Sequence, residues 1–240
     1  MRTGVLATSP AKRRLHIQAS KLRPTPKCAA CQFGKQVRRT TPGTRTTNVP
    51  AGKISNNILF PGQEVSVDHF VCSTKGRLWS SRGQTREQDL YHGGAIFVDQ
   101  ASKYIHVENQ VSLSTHATLF AKASFEKMCA DSGVVVHQYI SDGGTSFTSR
   151  DFAQHLSIFR QIIRFAGAGA HHHNPAEREI RTIMSIARTM MLHASIHWPE
   201  LSEPELWPMA VAYAVYNWNH LPNPETGVSP AEIFTKSKWS

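Results

Sequence analysis

The chain has 240 residues, 40% of them hydrophobic, enough for one ordinary domain with an appendage or for two small ones. Its net charge of +10 sits at one end: residues 1–63 hold 12 Lys/Arg and no Asp or Glu, whereas 64–240 hold 15 basic residues against 17 acidic. No stretch approaches the ~20 apolar residues of a membrane span, no apolar signal-peptide core follows Met1, and four cysteines with Cys72 and Cys129 isolated make no disulfide framework, so an intracellular, reducing setting is expected.

Residues 1–60 are rich in Thr, Pro, Arg and Lys and predict a largely unstructured basic arm, with one compact feature, "CAACQFGK" from Cys28 to Lys35. Such an arm suits a polyanion, because each phosphate contact releases counterions; a solvated tail is the alternative. From Glu64 the character changes. "EVSVDHFVC" alternates as a strand does. "GGAIFVDQ" and "KYIHVENQ" predict two more strands, with "DQASK" as the turn. Ser114 caps a predicted helix to Ser132, with Leu119, Phe120, Ala123 and Met128 apolar. "VVVHQYIS" predicts a buried strand, Ser149–Phe159 a short helix and "QIIRFAG" another strand.

After a Gly/Ala-rich loop with His171, His172 and His173, Asn174 suits a helix cap and Pro175 a first turn. Ile180, Ile183, Ala187, Met190, Met191 and Ala194 then share one face. A last helix is predicted from Glu203 to Trp218, before a Pro-rich tail. The order describes an α/β fold: a mixed five-stranded sheet with helices packed on it. The expected division is a basic arm over 1–60, a core over 61–222 and a C-terminal tail over 223–240.

Three carboxylates stand out by position. Asp68 lies inside the first strand, Asp142 ends the fourth before Gly143 and Gly144, and Glu177 sits in the first turn of the long helix. If the first and fourth strands are neighbours, the aspartates meet at one edge and the helix can bring Glu177 over them. Clustered hard oxygen ligands repel one another unless a cation such as Mg²⁺ or Mn²⁺ joins them. Each residue also has a plainer explanation. Asp68 can be a strand-edge acid, Asp142-Gly-Gly a turn, and Glu177 the acid of a capping box from Asn174 or the partner of Arg181 one turn on.

The set of motifs "SVDHF", "FVDQASKY", "ISDGGTSFTSRDF", "HHHNPAEREIRTI" and "AVYNWNHLPNPETGVSPAEIF" resembles the integrase core of Ty1/copia-type retrotransposons, within the DDE integrase and transposase group. The resemblance runs from about Pro61 to Trp239, and Cys28, Cys31, Gly34 and Lys35 extend it upstream. It implies an RNase H-like fold and a polynucleotidyl transferase that trims element ends and joins them to target DNA. Asp68, Asp142 and Glu177 fall on the catalytic acids that bind two Mg²⁺ or Mn²⁺ ions. Asp99 falls on a strand-turn acid that is structural. The resemblance also implies DNA and further copies of the chain as partners, a nuclear site of action and origin within a polyprotein; no membrane partner is expected.

The chain departs from the pattern in three places. Gly143 and Ser146 stand where the family has Asn and Glu. "NPAER" is one residue shorter than "NGVAER", so 34 residues separate Asp142 from Glu177 where 35 is usual. One residue turns a helix face by about 100° unless the loop absorbs it. Upstream, only His16 precedes Cys28, so Cys28 and Cys31 can hold Zn²⁺ only with borrowed ligands. The three adjacent histidines are expected to be a polar loop. Lys35, Arg38 and Arg39 in the arm, and Arg178, Arg181 and Arg188 with Ser185 along one helix stripe, are candidate phosphate contacts, or in the helix an ordinary solvated face. Trp198, Trp207 and Trp218 are expected in helix packing. Two other functions remain open: a DNA-holding integrase remnant without activity, and a ribonuclease H-type nuclease.

Overall fold

The computed structural model describes residues 28–34, 59–79, 86–166, 175–224 and 226–237. After a short helix α1 (Ala29–Gly34) come three strands, β1 (Val65–Gly76), β2 (Tyr91–Asp99) and β3 (Ile105–Gln110). Helix α2 (Thr115–Asp131), β4 (Gln138–Ser141), α3 (Arg150–Ile158) and β5 (Ile162–Phe165) follow. The chain ends with α4 (Pro175–His197), α5 (Trp207–His220) and α6 (Pro230–Thr235). The strands form one sheet in the order β3-β2-β1-β4-β5. β1–β2 and β2–β3 pair antiparallel, β1–β4 and β4–β5 parallel. This is the expected mixed five-stranded sheet flanked by helices.

Each face of the sheet carries its own core, as period-2 alternation requires of a strand covered on both sides. Val65, Val67, Ala95, Phe97 and Tyr139 pack against Ala121, Phe125 and Cys129 of α2 and Phe152 and Leu156 of α3. Phe97 stacks on Phe125 at 4.6 Å. On the opposite face Phe70, Ile96, Val98 and Ile105 meet Ala176, Ile183 and Ala187 of α4 and Trp207, Val211 and Ala214 of α5. Burying each large side chain stabilises the fold by roughly 1.5–3 kcal/mol before entropy is counted.

Several elements differ from the sequence expectation for identifiable reasons. The fourth strand starts at Gln138, not Val134. The preceding turn is fixed by Gly62, whose carbonyl accepts the His137 amide. The face of α2 is rotated: Phe120 is 67% exposed, whereas Thr118, Lys122 and Phe125 are buried. Lys122 can take a core position because its ammonium donates to Glu126 at 2.8 Å and lies 3.1 Å from His155 Nδ1. Tyr139 donates to the same carboxylate at 2.7 Å. Burial lowers the Lys122 pKa, and Glu126 opposes that shift.

The start of the predicted last helix is a single 3-10 turn, Pro204–Leu206, before α5. Trp207 and Trp218 are held by indole bonds to Thr74 and Lys103 carbonyls, but Trp198 is 57% exposed and does not pack as expected. Within the segment expected to be a tail, a capping box at Ser229 and Glu232 starts α6. Its Phe234 joins the first core and stacks on Tyr104.

Two polar side chains lock the sheet edge. Asn219 pairs with both backbone groups of Ile105, accepting at 2.9 Å and donating at 2.7 Å, as a neighbouring strand would. Asp99, 0% exposed, accepts from the Gly62 amide at 2.8 Å and from the Ser102 amide and hydroxyl at 2.7 and 2.6 Å. It closes the β2–β3 turn and fastens the segment before β1. Replacing Asp99 with Ala leaves buried donors without an acceptor and is expected to cost about 3 kcal/mol. Urea unfolding of the variant checks this; a loss under 1 kcal/mol contradicts the structural role.

Candidate active site

β1 and β4 are hydrogen-bonded neighbours in parallel register, Val65↔Tyr139 and Ser66↔Ile140. Continued by two residues, that register sets Asp68 beside Asp142. Alternation places Asp68 with Ser66 and Phe70, on the face that α4 covers. The same count from Tyr139, which belongs to the other core, puts Asp142 on the Asp68 side. Extended in this way, the register would bring the two aspartates to one face of adjacent interior strands. Both are partly buried. Asp68 Oδ1 accepts from the His69 amide at 2.8 Å, and Asp142 Oδ1 from the Gly144 amide at 3.0 Å.

The loop after Asp142 explains two of the sequence departures. Gly143 has φ +84°, and a Cβ there would meet nothing closer than 3.8 Å. The position therefore selects residues by backbone conformation rather than by space, and Gly and Asn are the residues that suit it. Ser146 is buried and donates to the Leu113 carbonyl at 2.7 Å, just before the α2 cap. Asp142 thus ends a strand whose chain turns sharply away at Gly143 and is fastened again three residues later.

Glu177 is in the first turn of α4, as predicted, beside the buried Ala176. Its side chain is 41% exposed and pairs with Arg181 at 3.3 Å. Among the described residues, no three His, Cys, Asp or Glu side chains stand close enough to hold a metal ion. The expected convergence of all three acids is therefore not seen; Glu177 adopts the alternative one-turn pairing instead. The donor types, all carboxylate oxygens, fit a hard divalent cation. Their arrangement, with Glu177 turned to Arg181, does not form a three-carboxylate group among the described residues. Glu179, two residues on, has one buried carboxylate oxygen without a hydrogen-bond partner. Burial raises its pKa, while Arg178 and Lys103 oppose the shift; Lys103 lies in the β2–β3 turn.

Arg178, Arg181 and Arg188 are exposed along α4. Ser185, on the same stripe, donates at 3.4 Å to the Gly34 carbonyl, so α1 docks beside the arginines. A Cβ on Gly34 would strike Thr189 Oγ1, which explains a glycine at that contact. Cys28 and Cys31 are free thiols. Hydrogen bonds from the backbone and side chain of Cys31 hold Cys28 below its ordinary pKa. Two sulfurs are half of a tetrahedral zinc set. Lys35, Arg38, Arg39, His171, His172, His173 and Asn174 lie outside the described residues.

Sequence reasoning missed His69. Alternation sends it to the α2 face, opposite Asp68. There Nε2 lies 3.0 Å from Thr118 Oγ1, and the ring stacks on Phe147 at 4.6 Å. The only sequence signal was a polar residue at an inward position of a strand.

No family model and no curated protein matches this chain. Solved structures do. The HTLV-2 integrase catalytic core domain in complex with magnesium, in its dimeric form, superposes with a TM-score of 0.51 at 16% identity, covering 74% of this chain and 99% of that one. The simian T-cell lymphotropic virus intasome, in complex with the PP2A regulatory subunit B56 gamma, gives a TM-score of 0.55 at 14% identity. That match covers 94% of this chain and 74% of the other. The likeness establishes the fold alone: a mixed five-stranded sheet flanked by helices, arranged as in those integrase structures.

Burial holds the His69 pKa down from 6.5 to about 4, with the Asp142 charge opposing. The unfolded chain therefore takes up this proton first, and stability falls as pH drops from about 6.5 to about 4. Discounted for partial solvent access, the loss is about 1–2 kcal/mol. Urea unfolding at pH 7 and pH 4.5 is expected to show that much less acid loss in His69→Phe than in the wild type. Equal losses would contradict a buried neutral imidazole.

Proposed function

We propose that the chain is a metal-dependent polynucleotidyl transferase of the DDE integrase type, from a Ty1/copia-type element. It trims the ends of element DNA and joins them to target DNA. The observation that supports this reading is the parallel pairing of β1 with β4, whose register, if continued, would set Asp68 beside Asp142 at a glycine turn, on a fold like that of the HTLV-2 integrase core. Magnesium in the HTLV-2 core supports a divalent cation here, and the viral intasome supports action as an assembly on DNA. Asp68, Asp142 and Glu177 would hold Mg²⁺ or Mn²⁺. When bound, the cation supplies Lewis acidity and neutralises charge at the phosphorus.

The chain's own part is positioning. Asp68 is presented by the central strand, which cannot shift without disturbing both cores. Gly143 bends the backbone away after Asp142 and leaves room for a phosphodiester. Arg178 and Arg188 give phosphate contacts that fix orientation without reading sequence. For Glu177 to join the aspartates, its exposed pair with Arg181 must open. In the joining step a DNA 3′-hydroxyl attacks a target phosphodiester in line; one P–O bond forms as another breaks, and no covalent protein intermediate is needed. Zinc at Cys28 and Cys31 would need two further donors. Action in the nucleus, as a homo-oligomer and after release from a polyprotein, accords with this role.

The Glu177–Arg181 pair favours one competing reading, a remnant that holds DNA without acting on it. Strand transfer on a labelled branched DNA oligonucleotide with Mn²⁺ separates the two. Activity that falls at least 100-fold in Asp142→Asn, with salt-sensitive DNA binding unchanged, is the expected result. Absence of product with equal DNA binding in both proteins identifies the remnant. Preference for an RNA–DNA hybrid over the branched DNA would instead identify a ribonuclease H.

A further inference from the structure

The proposed site leaves one buried arrangement unexplained: the contact among His69, Thr118 and Phe147. Thr118 Oγ1 donates its single hydroxyl proton to the Ser114 carbonyl at 2.9 Å, one turn back in α2. Its 3.0 Å contact with His69 Nε2 must then run the other way, with the imidazole N–H donating. In a neutral ring this selects the Nε2–H tautomer, and it fixes the ring's orientation. The oriented ring lies flat against Phe147, with centroids 4.6 Å apart and planes 23° from parallel. Phe147 is wedged edge-on against Phe152 of α3 at 5.6 Å.

Phe147 is also the end of a short hydrogen-bonded loop that begins at Asp142. Its amide donates to the Gly144 carbonyl at 3.0 Å, and the Gly144 amide donates to Asp142 Oδ1 at 3.0 Å. Ser146 binds the Leu113 carbonyl, tying the same loop to the start of α2. Two tethers therefore run from the start of α2 to the Asp142 loop, one from Leu113, just before the cap, through Ser146 and one from Thr118 through His69. The second starts on the residue adjoining Asp68. A single strand position thus sends one carboxylate to the α4 face and, from the next residue, a clamp on the other carboxylate's loop.

We infer that His69 is a positioning residue: oriented by Thr118, it holds Phe147 and thereby sets Asp142 at the level of Asp68. The inference rests on the reading of those two aspartates as cation ligands. Partners that orient ligands in this way typically change metal affinity 10–100-fold when removed.

The test uses the full chain and Mn²⁺ alone, titrated by calorimetry at pH 7.5. His69→Phe keeps an aromatic ring and removes the N–H. Thr118→Val removes the acceptor with little change of volume, and Thr118→Ser restores it. His69→Phe and Thr118→Val are each expected to weaken Mn²⁺ binding about tenfold. The double variant should be no weaker than either single one, and Thr118→Ser should stay within about twofold of wild type. Wild-type affinity in His69→Phe overturns the inference.

A second readout needs no metal. Nitrogen-15 spectra of the imidazole are expected to show the Nε2–H tautomer. Hydrogen exchange at the Gly144 amide should quicken about tenfold in Thr118→Val, with global unfolding less affected, as for a locally opened segment. Unchanged Gly144 exchange, or the opposite tautomer, also overturns the inference. If the wild type binds no Mn²⁺, the cation-site reading fails, and the exchange result still decides whether His69 holds the loop.

Discussion

The pairing of β1 with both its neighbours constrains nearly everything else. β1 runs antiparallel to β2 and parallel to β4, and it is covered on both faces. Each successive side chain is therefore committed to one core or the other, and a slip of one residue would exchange them. Val65 and Val67 go to the α2 side, Phe70 to the α4 side. Asp68 and His69 inherit opposite faces from that alternation, so the candidate ligand and the imidazole behind it follow from one register. The parallel pairing with β4 then fixes which residue faces Asp68. Under the proposed reading, that register would select Asp142, and the local chemistry of the loop would refine its position.

A polar framework supports the apolar one. Asp99 joins the approach to β1 to the β2–β3 turn, and Asn219 closes the outer edge of β3 with a side-chain amide in place of a strand. Lys122, Glu126 and Tyr139 bind α2 to β4 through a buried cluster. Losing one member of such a cluster strands the others without solvent, so these groups restrict the fold to one arrangement more than their net bond strengths suggest. The first and third act on segments that lead into β1 and β4, the strands of Asp68 and Asp142.

The five strands and the mixed sheet with flanking helices were legible because they depend on period-2 alternation and on turn residues at strand ends; the pairing of the first strand with the fourth entered the sequence reading only as a condition. The face of α2 was not legible. Periodicity treats Lys122 as a surface residue, and only its tertiary partners Glu126 and His155 make burial tolerable. The α6 helix was hidden by the Pro-rich composition around it, although Ser229, Pro230 and Glu232 are a recognisable helix start. His69 was overlooked because reading the strand for carboxylates left its neighbour as filler, and Thr118 and Phe147 come from distant parts of the chain. Glu177's pairing with Arg181 was visible as a spacing, but nothing in a sequence says which of two partners a carboxylate will take.

Magnitudes decide how much that last ambiguity matters. A solvent-exposed i,i+4 ion pair is worth only ~0.3–0.5 kcal/mol, and Arg181 is 75% exposed. If the proposed cation site forms, opening that pair would be a small cost beside the interaction of a 2+ charge with three carboxylates. The shortened approach to α4 poses a larger question, since one residue corresponds to about 100° of helix rotation. The packing of Ala176, Ile183 and Ala187 fixes that rotation independently of the loop, because those side chains are locked into the second core. Glu177 is thereby set immediately beside the buried Ala176, at the margin of the face that meets the sheet. The core, rather than the length of the preceding loop, determines where the third carboxylate can reach.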